Sequence, residues 1–152
     1  MAGTSAGAAM MSSSMILRGE SGMAPKVGGI EMGPGMNMVE NTVIESRFSQ
    51  RGRHGRLLIA IAHYPQLLGL VVDERTAAVF KNGGFEVVRE GTVTVFDCRR
   101  MKHCDLPYRR DNETIRMFDV CVHVLPSGYS YDLEEREPMA PEMKTMAGGA
   151  ID

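Results

Sequence analysis

Tryptophan is absent, and five Phe with four Tyr bring the aromatic share to only 6%. Cysteine is scarce as well. Cys98, Cys104 and Cys121 are odd in number and lack CxxC spacing, which suggests neither a disulfide framework nor a zinc site. No metal or other cofactor is expected. No apolar run approaches the roughly 20 residues of a membrane helix, and no membrane partner is expected. The start, MAGTSAGAAMMSSSM, has no basic segment followed by an apolar block and does not read as a signal peptide. The expected compartment is the reducing cytoplasm. A dominant charge is also missing: 17 Lys and Arg against 19 Asp and Glu leave a formal charge of −2. A generally polyanion-seeking surface is excluded, so any basic cluster is a local feature.

What is present fits one soluble domain, since 152 residues are enough for an ordinary core. Methionine is abundant, at 13 residues, several of them between Met10 and Met38; such flexible side chains fill irregular gaps. Small and Met-rich sequence after Gly7 predicts a helix to about Leu17. Residues 18–38, rich in Gly and Pro, predict a long loop. Thr42–Glu45 reads as a short strand. Gly52–His63 reads as a helix with its apolar line at Leu57, Leu58 and Ile61, closed by Pro65. Leu68–Val72 is a continuous apolar run of buried-strand type. Three further strands are predicted at Ala77–Phe80, Phe85–Arg89 and Thr92–Phe96, with turns at Asn82-Gly83-Gly84 and Glu90-Gly91. Residues 98–115 read as mostly loop, Phe118–Leu125 as a strand, Pro126-Ser127-Gly128 as a turn, and Tyr129–Leu133 as extended. The chain after Glu134 reads as a disordered tail. The order implies an α/β layout with an antiparallel extension, with a domain over residues 1–137 and a tail over 138–152.

Gly3-Thr4-Ser5-Ala6-Gly7 matches G-x-S-x-G, the sharp turn that exposes a serine hydroxyl at the end of a sheet. Glycine is expected there because side chains would collide at so tight a bend. The Ala6 amide, at a helix N-terminus, would face a developing oxyanion. A mobile terminus of small residues is the alternative. A nucleophile turn also needs a strand feeding into it, and only Met1 and Ala2 precede Gly3; the chain is expected to begin in the middle of a fold. Farther on, Arg47, Arg51, Arg53 and Arg56 crowd the junction between a strand and a helix. Arg53 and Arg56, three apart, would share one helix face. Read from the residues alone, Arg51, Arg53 and Arg56 are helix-surface charges that hold neighbouring loops. Nucleic acid is disfavoured by the net charge and by the lack of interleaved aromatics. Arg99, Arg100, Lys102, Arg109 and Arg110 read as a solvated loop. His54 lies on the helix line and reads as a packed or capping residue, and His63 as a surface residue that favours the helix dipole.

Several segments in order resemble the cyanophycinases: GTSAGA, VIESRFSQRGRHGRLL, LGLVVDERTA, GTVTVFD and LPSGYSYDL. The run Phe48 to Leu58 and Asp73-Glu74-x-Thr76-Ala77 carry the resemblance most specifically, and it extends from Gly3 to about Pro138. The resemblance implies a serine peptidase related to the dipeptidase E group. It implies a three-layer, glutamine-amidotransferase-like (flavodoxin-like) α/β fold, of which this chain would lack the N-terminal half. It further implies a Ser–His–Glu triad in chain order, with Ser5 as nucleophile, Ala6 at the oxyanion and Glu74 as the acid. Members carry Asp-Gln-His-Phe where this chain has Glu45-Ser46-Arg47-Phe48, so Arg47 stands at the position of the base. A guanidinium stays protonated and offers no lone pair, and cannot be a general base. Glu45, Arg51, Arg53 and Arg56 would bind substrate, namely cyanophycin, an aspartate backbone with arginine on each side-chain carboxylate. A homodimer is implied. Two readings stay open: a peptidase cleaving β-aspartyl-arginine linkages, or an inactive or truncated relative that binds an anionic or arginine-bearing ligand or a protein partner.

Overall fold

The computed structural model describes residues 1–19, 22–46 and 54–141. In chain order the elements are α1 (Ala6–Met10), β1 (Ser14–Gly19), β2 (Ile30–Pro34), β3 (Thr42–Ser46), α2 (His54–His63), β4 (Leu68–Val72), β5 (Thr76–Lys81), β6 (Gly84–Arg89) and β7 (Thr92–Asp97). They continue with β8 (His103–Cys104), a 3₁₀ turn at Leu106–Tyr108, β9 (Met117–Phe118), β10 (Cys121–Pro126), β11 (Ser130–Asp132) and β12 (Glu137–Met139).

The organising unit is β3–α2–β4. β3 and β4 are parallel, with Thr42 opposite Leu68 and Ser46 opposite Val72. A parallel pair cannot be closed by a tight turn, so the chain crosses over through α2. Successive strand side chains point to opposite faces, and here both faces are dry. Val43 and Val71 pack under Leu57, Ala60 and Ile61 of α2. Ile44, Leu68 and Leu70 belong to a second apolar cluster with Phe85, Val87, Val93, Val95 and Tyr131. Gly69 lets the helix settle: a Cβ there would lie 3.2 Å from Leu57 Cδ1 and 3.3 Å from Ile61 Cγ2.

Antiparallel β7 and β10 complete the first sheet, in the order β10–β7–β4–β3. A second, antiparallel sheet has the order β12–β11–β6–β5. Three layers result: α2 with the β1–β2 hairpin, the mixed sheet, and the second sheet. The expected α/β class with an antiparallel extension is therefore what the chain forms. The β5–β6 hairpin turns on Asn82 (φ 50°) and Gly83 (φ 78°), two consecutive left-handed residues that match strand twist. Among the described residues, no helix is long and apolar enough to cross a membrane.

Three expectations are corrected. The first helix stops at Met10, and Ser14–Gly19 is instead a strand paired antiparallel with β2, inside the expected long loop. Serine hydroxyls compete with helix bonding here: the Ser12 hydroxyl lies within donating distance of both the Ala9 and the Ser14 carbonyl, and Ser13 Oγ donates to the Thr42 carbonyl at 3.1 Å. The strand expected over Phe118–Leu125 is two pieces. Met117–Phe118 pairs with β8, left-handed Asp119 (φ 61°) breaks the run, and Cys121–Pro126 pairs with β7. Beyond Glu134 the chain forms β12, which pairs with β11 and crosses the boundary expected after residue 137. Arg136 anchors this return. Its Nη1 lies 2.8 Å from Asp97 Oδ1, and its Nη2 donates to the Gln66 carbonyl. Residues 142–152, the rest of the expected tail, lie outside the described residues, as do Gly52 and Arg53 at the expected start of α2.

The expected loop at 98–115 has its own hub. The buried Asp105 carboxylate accepts from Arg109 Nε at 2.7 Å, Arg116 N at 2.6 Å and Arg116 Nε at 2.8 Å. The Arg109 hydrogen bond first, and then the Arg116 amide, hold this carboxyl far below the usual carboxylate range. A depressed folded-state pKa contributes stability above the unfolded value of about 4, and that contribution is lost as pH falls toward the folded value. Asp105→Asn is therefore expected to melt below the parent at neutral pH. The gap should narrow as pH is lowered, which melting curves recorded across the acid range would measure.

Candidate functional site

Ser5 sits at φ 53°, ψ −123°, immediately before α1. A side-chain-bearing residue is rarely found there, and such a backbone costs on the order of 1–3 kcal/mol. The turn is held by Gly7 N–H donating to the Thr4 carbonyl at 2.9 Å, and by Ala8 and Ala9 N–H donating to the Ser5 carbonyl. Gly3 is sterically required, since a Cβ would lie 2.5 Å from the Gly7 carbonyl oxygen. Gly7 is not: a Cβ there meets nothing within 4 Å. The collision argument for glycine thus holds at the first position of the motif and fails at the second. Ala6 is the exposed first residue of α1.

Glu74 lies just past β4, on the turn into β5, and is exposed. Its neighbours fix that turn. Asp73 Oδ2 accepts from Thr92 N at 3.2 Å and Thr92 Oγ1 at 2.7 Å. Thr76 Oγ1 donates to the Glu74 carbonyl and accepts from Gly91 N–H at 2.9 Å. Arg75 between them is left-handed, at φ 54°. Sequence reasoning passed over Asp73, Thr76 and Thr92 as positioning residues. Their signal lay in the quoted motifs, where Asp73 and Thr76 flank the acid and Gly91-Thr92 open the next strand.

Ser5 and Glu74 line one cavity of about 820 Å³. Its lining combines polar residues such as Thr4, Asp73, Arg75 and Thr76 with apolar ones including Ile44, Leu70, Val72 and Phe80. The serine turn before α1 and the acid turn after β4 thus both border this cavity. His54 and His63, the two ends of α2, are not among the residues lining this cavity.

The other sequence-predicted residues are placed differently. Glu45, at the end of β3, is buried, and its Oε2 lies 3.1 Å from Arg56 Nε. The Arg56 side chain is itself only 10% exposed. Arg56 lines a second cavity of about 250 Å³ with Lys26, Gly55 and Ile59, apart from Ser5. Burying both charges is tolerable because they are paired. Arg47, Arg51 and Arg53 lie outside the described residues. Among the described residues no group of three or more His, Cys, Asp or Glu could hold a metal ion.

The strain at Ser5 has a measurable consequence. Glycine adopts that backbone without a Cβ conflict, so Ser5→Gly is expected to stabilise the chain by about 1 kcal/mol in urea unfolding. Ser5→Ala, which keeps the Cβ, should stay within about 0.5 kcal/mol of the parent.

No protein-family model matches the chain. Curated proteins do. It is 36% identical over 137 residues to the cyanophycinase of Trichormus variabilis, covering 90% of this chain and 46% of that protein. It is 33% identical over 141 residues to the cyanophycinase of Geminocystis herdmanii, covering 92% and 52%. It is 31% identical over 138 residues to the cyanophycinase of Synechococcus elongatus, covering 90% and 43%. The chain thus spans about half the length of the curated relatives it matches. Over nearly all of its own length, this chain is a homologue of the cyanophycinases.

Proposed function

We propose that the chain carries the nucleophile and the acid of a serine-type peptidase of the cyanophycinase kind, directed at β-aspartyl-arginine linkages. The observation that supports this reading most is the shared cavity: a strained, helix-leading serine and a strand-end glutamate open onto one space. In the proposed chemistry Ser5 Oγ attacks the linkage carbonyl and forms an acyl-enzyme. The Ala6 N–H, at the start of α1, donates to the oxygen as it becomes negative. Glu74 orients and charge-balances the base. Arg51 and Arg53 meet free carboxylates of the substrate bidentately. Arg56, already salt-bridged to Glu45, contributes by fixing the start of α2 against the end of β3.

The base position holds Arg47, and this one residue favours a second reading, a relative that binds such a ligand without cleaving it. Guanidinium neither takes the serine proton nor returns it to the leaving group. Loss of the histidine from a serine-protease triad costs on the order of 10⁶ in kcat. The reading also includes a homodimer and a reducing cytoplasmic setting, in keeping with three free cysteines.

Dipeptide release from cyanophycin distinguishes the two. The parent chain is expected to release little or none, and Arg47→His to release at least about 10²-fold more. Release by neither, with cyanophycin still bound, would favour the binding reading. Neither release nor binding would remove both.

A further inference from the structure

Cys121 and His123 stand two residues apart on β10, the outer strand of the mixed sheet, and therefore on one face of it. Cys121 Sγ lies 3.2 Å from His123 Nε2. Of the three free thiols, Cys121 is the exposed one; Cys104 is half-buried and Cys98 is buried. Beside the pair lies Tyr131 of β11, fully buried, its ring 5.7 Å from the imidazole at a 56° tilt. The Tyr131 hydroxyl has no hydrogen-bond partner among the described residues. Burial first, and then the Asp97 carboxylate, push this phenol up to about 12, and Cys121 is close enough to contribute. The phenol therefore remains a neutral donor. A buried donor left unmatched is costly, and here it stands near an exposed cysteine whose sulfur is in contact with an imidazole. None of these three residues lines the Ser5 cavity.

We propose that Cys121 and His123 form a thiol-modification site that exchanges with small-molecule disulfides, with the Tyr131 hydroxyl supplying the polar group behind it. His123 Nε2 takes the thiol proton, and the Cys121 thiolate attacks one sulfur of the disulfide. A new S–S bond forms to Cys121 as the original S–S bond breaks. The departing thiolate takes the proton back from the imidazolium. Cys121 is oxidised to the mixed disulfide, one half of the reagent is reduced to free thiol, and no further oxidant is needed. The chain carries its own comparison. Burial first, and then the neighbouring Asp97, push the Cys98 thiol up to about 12, so Cys98 supplies little thiolate and should not compete.

The test treats the folded chain with glutathione disulfide at neutral pH and follows adducts by intact mass and peptide mapping. The urea-unfolded chain serves as the reference in which all three thiols are open. One adduct is expected, on Cys121. Its rate should fall about tenfold or more in His123→Phe, which keeps a ring against Tyr131 but has no nitrogen. His123→Gln is run alongside, and thermal melts establish that each variant is folded. Modification of Cys104 as fast as Cys121 would overturn the proposal. So would rates in both folded variants within about twofold of the parent.

Discussion

Both faces of β4 are buried, and the other layers are arranged around that constraint. Leu68, Gly69, Leu70 and Val71 are all inaccessible, so the strand must have a helix on one side and a second sheet on the other. Its parallel partner β3 can be reached only through α2, and its antiparallel partner β7 returns from the β5–β6 hairpin. Apolar burial at about 25 cal/mol per Å² is the dominant favourable contribution in such an assembly, and backbone pairing sets its register. The consequence for the site is direct. β4 ends at Val72, and the first residues beyond it, Asp73 and Glu74, emerge at the sheet end beside the serine turn.

Polar groups then fix what the core leaves free. Asp97 sits at the end of β7, accepts Arg99 N–H at 2.7 Å and pairs with Arg136. It thereby draws the last strand back onto the second sheet. Asp105 does the same for the segment between β7 and β10 by gathering Arg109 and Arg116. Glu45 and Arg56 join the end of β3 to the first turn of α2. In each case a nearly buried carboxylate is matched by guanidinium, the condition under which burying charge is not prohibitive.

The strands from Thr42 to Asp97 were readable because their apolar residues alternate or run continuously between strong turn signals. Asn82-Gly83 is the clearest of these. The β1–β2 hairpin was not readable. Its strands, SMILRG and IEMGP, mix Ile and Leu with Ser, Gly, Pro and charged residues and show no clean alternation, and the hairpin is held by Ile16, Ile30 and Met32 packing into the cluster beneath α2. Local preference cannot report a contact made by distant chain. The same holds at the site. The G-x-S-x-G turn and the acid after β4 were visible as motifs, and their shared cavity follows from strand order. The Glu45–Arg56 pair was hidden, because Glu45 is followed by Arg47, Arg51, Arg53 and Arg56 and only the fold chooses among them.

The proposed chemistry requires Ser5 and Glu74 to act on one space rather than merely border it. Labelling by a serine-reactive fluorophosphonate tests this most directly, in Arg47→His and in the same chain carrying Glu74→Gln. Labelling at Ser5 is expected in the first, and a rate lower by about 10²-fold or more in the second. Equal labelling rates, or a label on another serine, would contradict it.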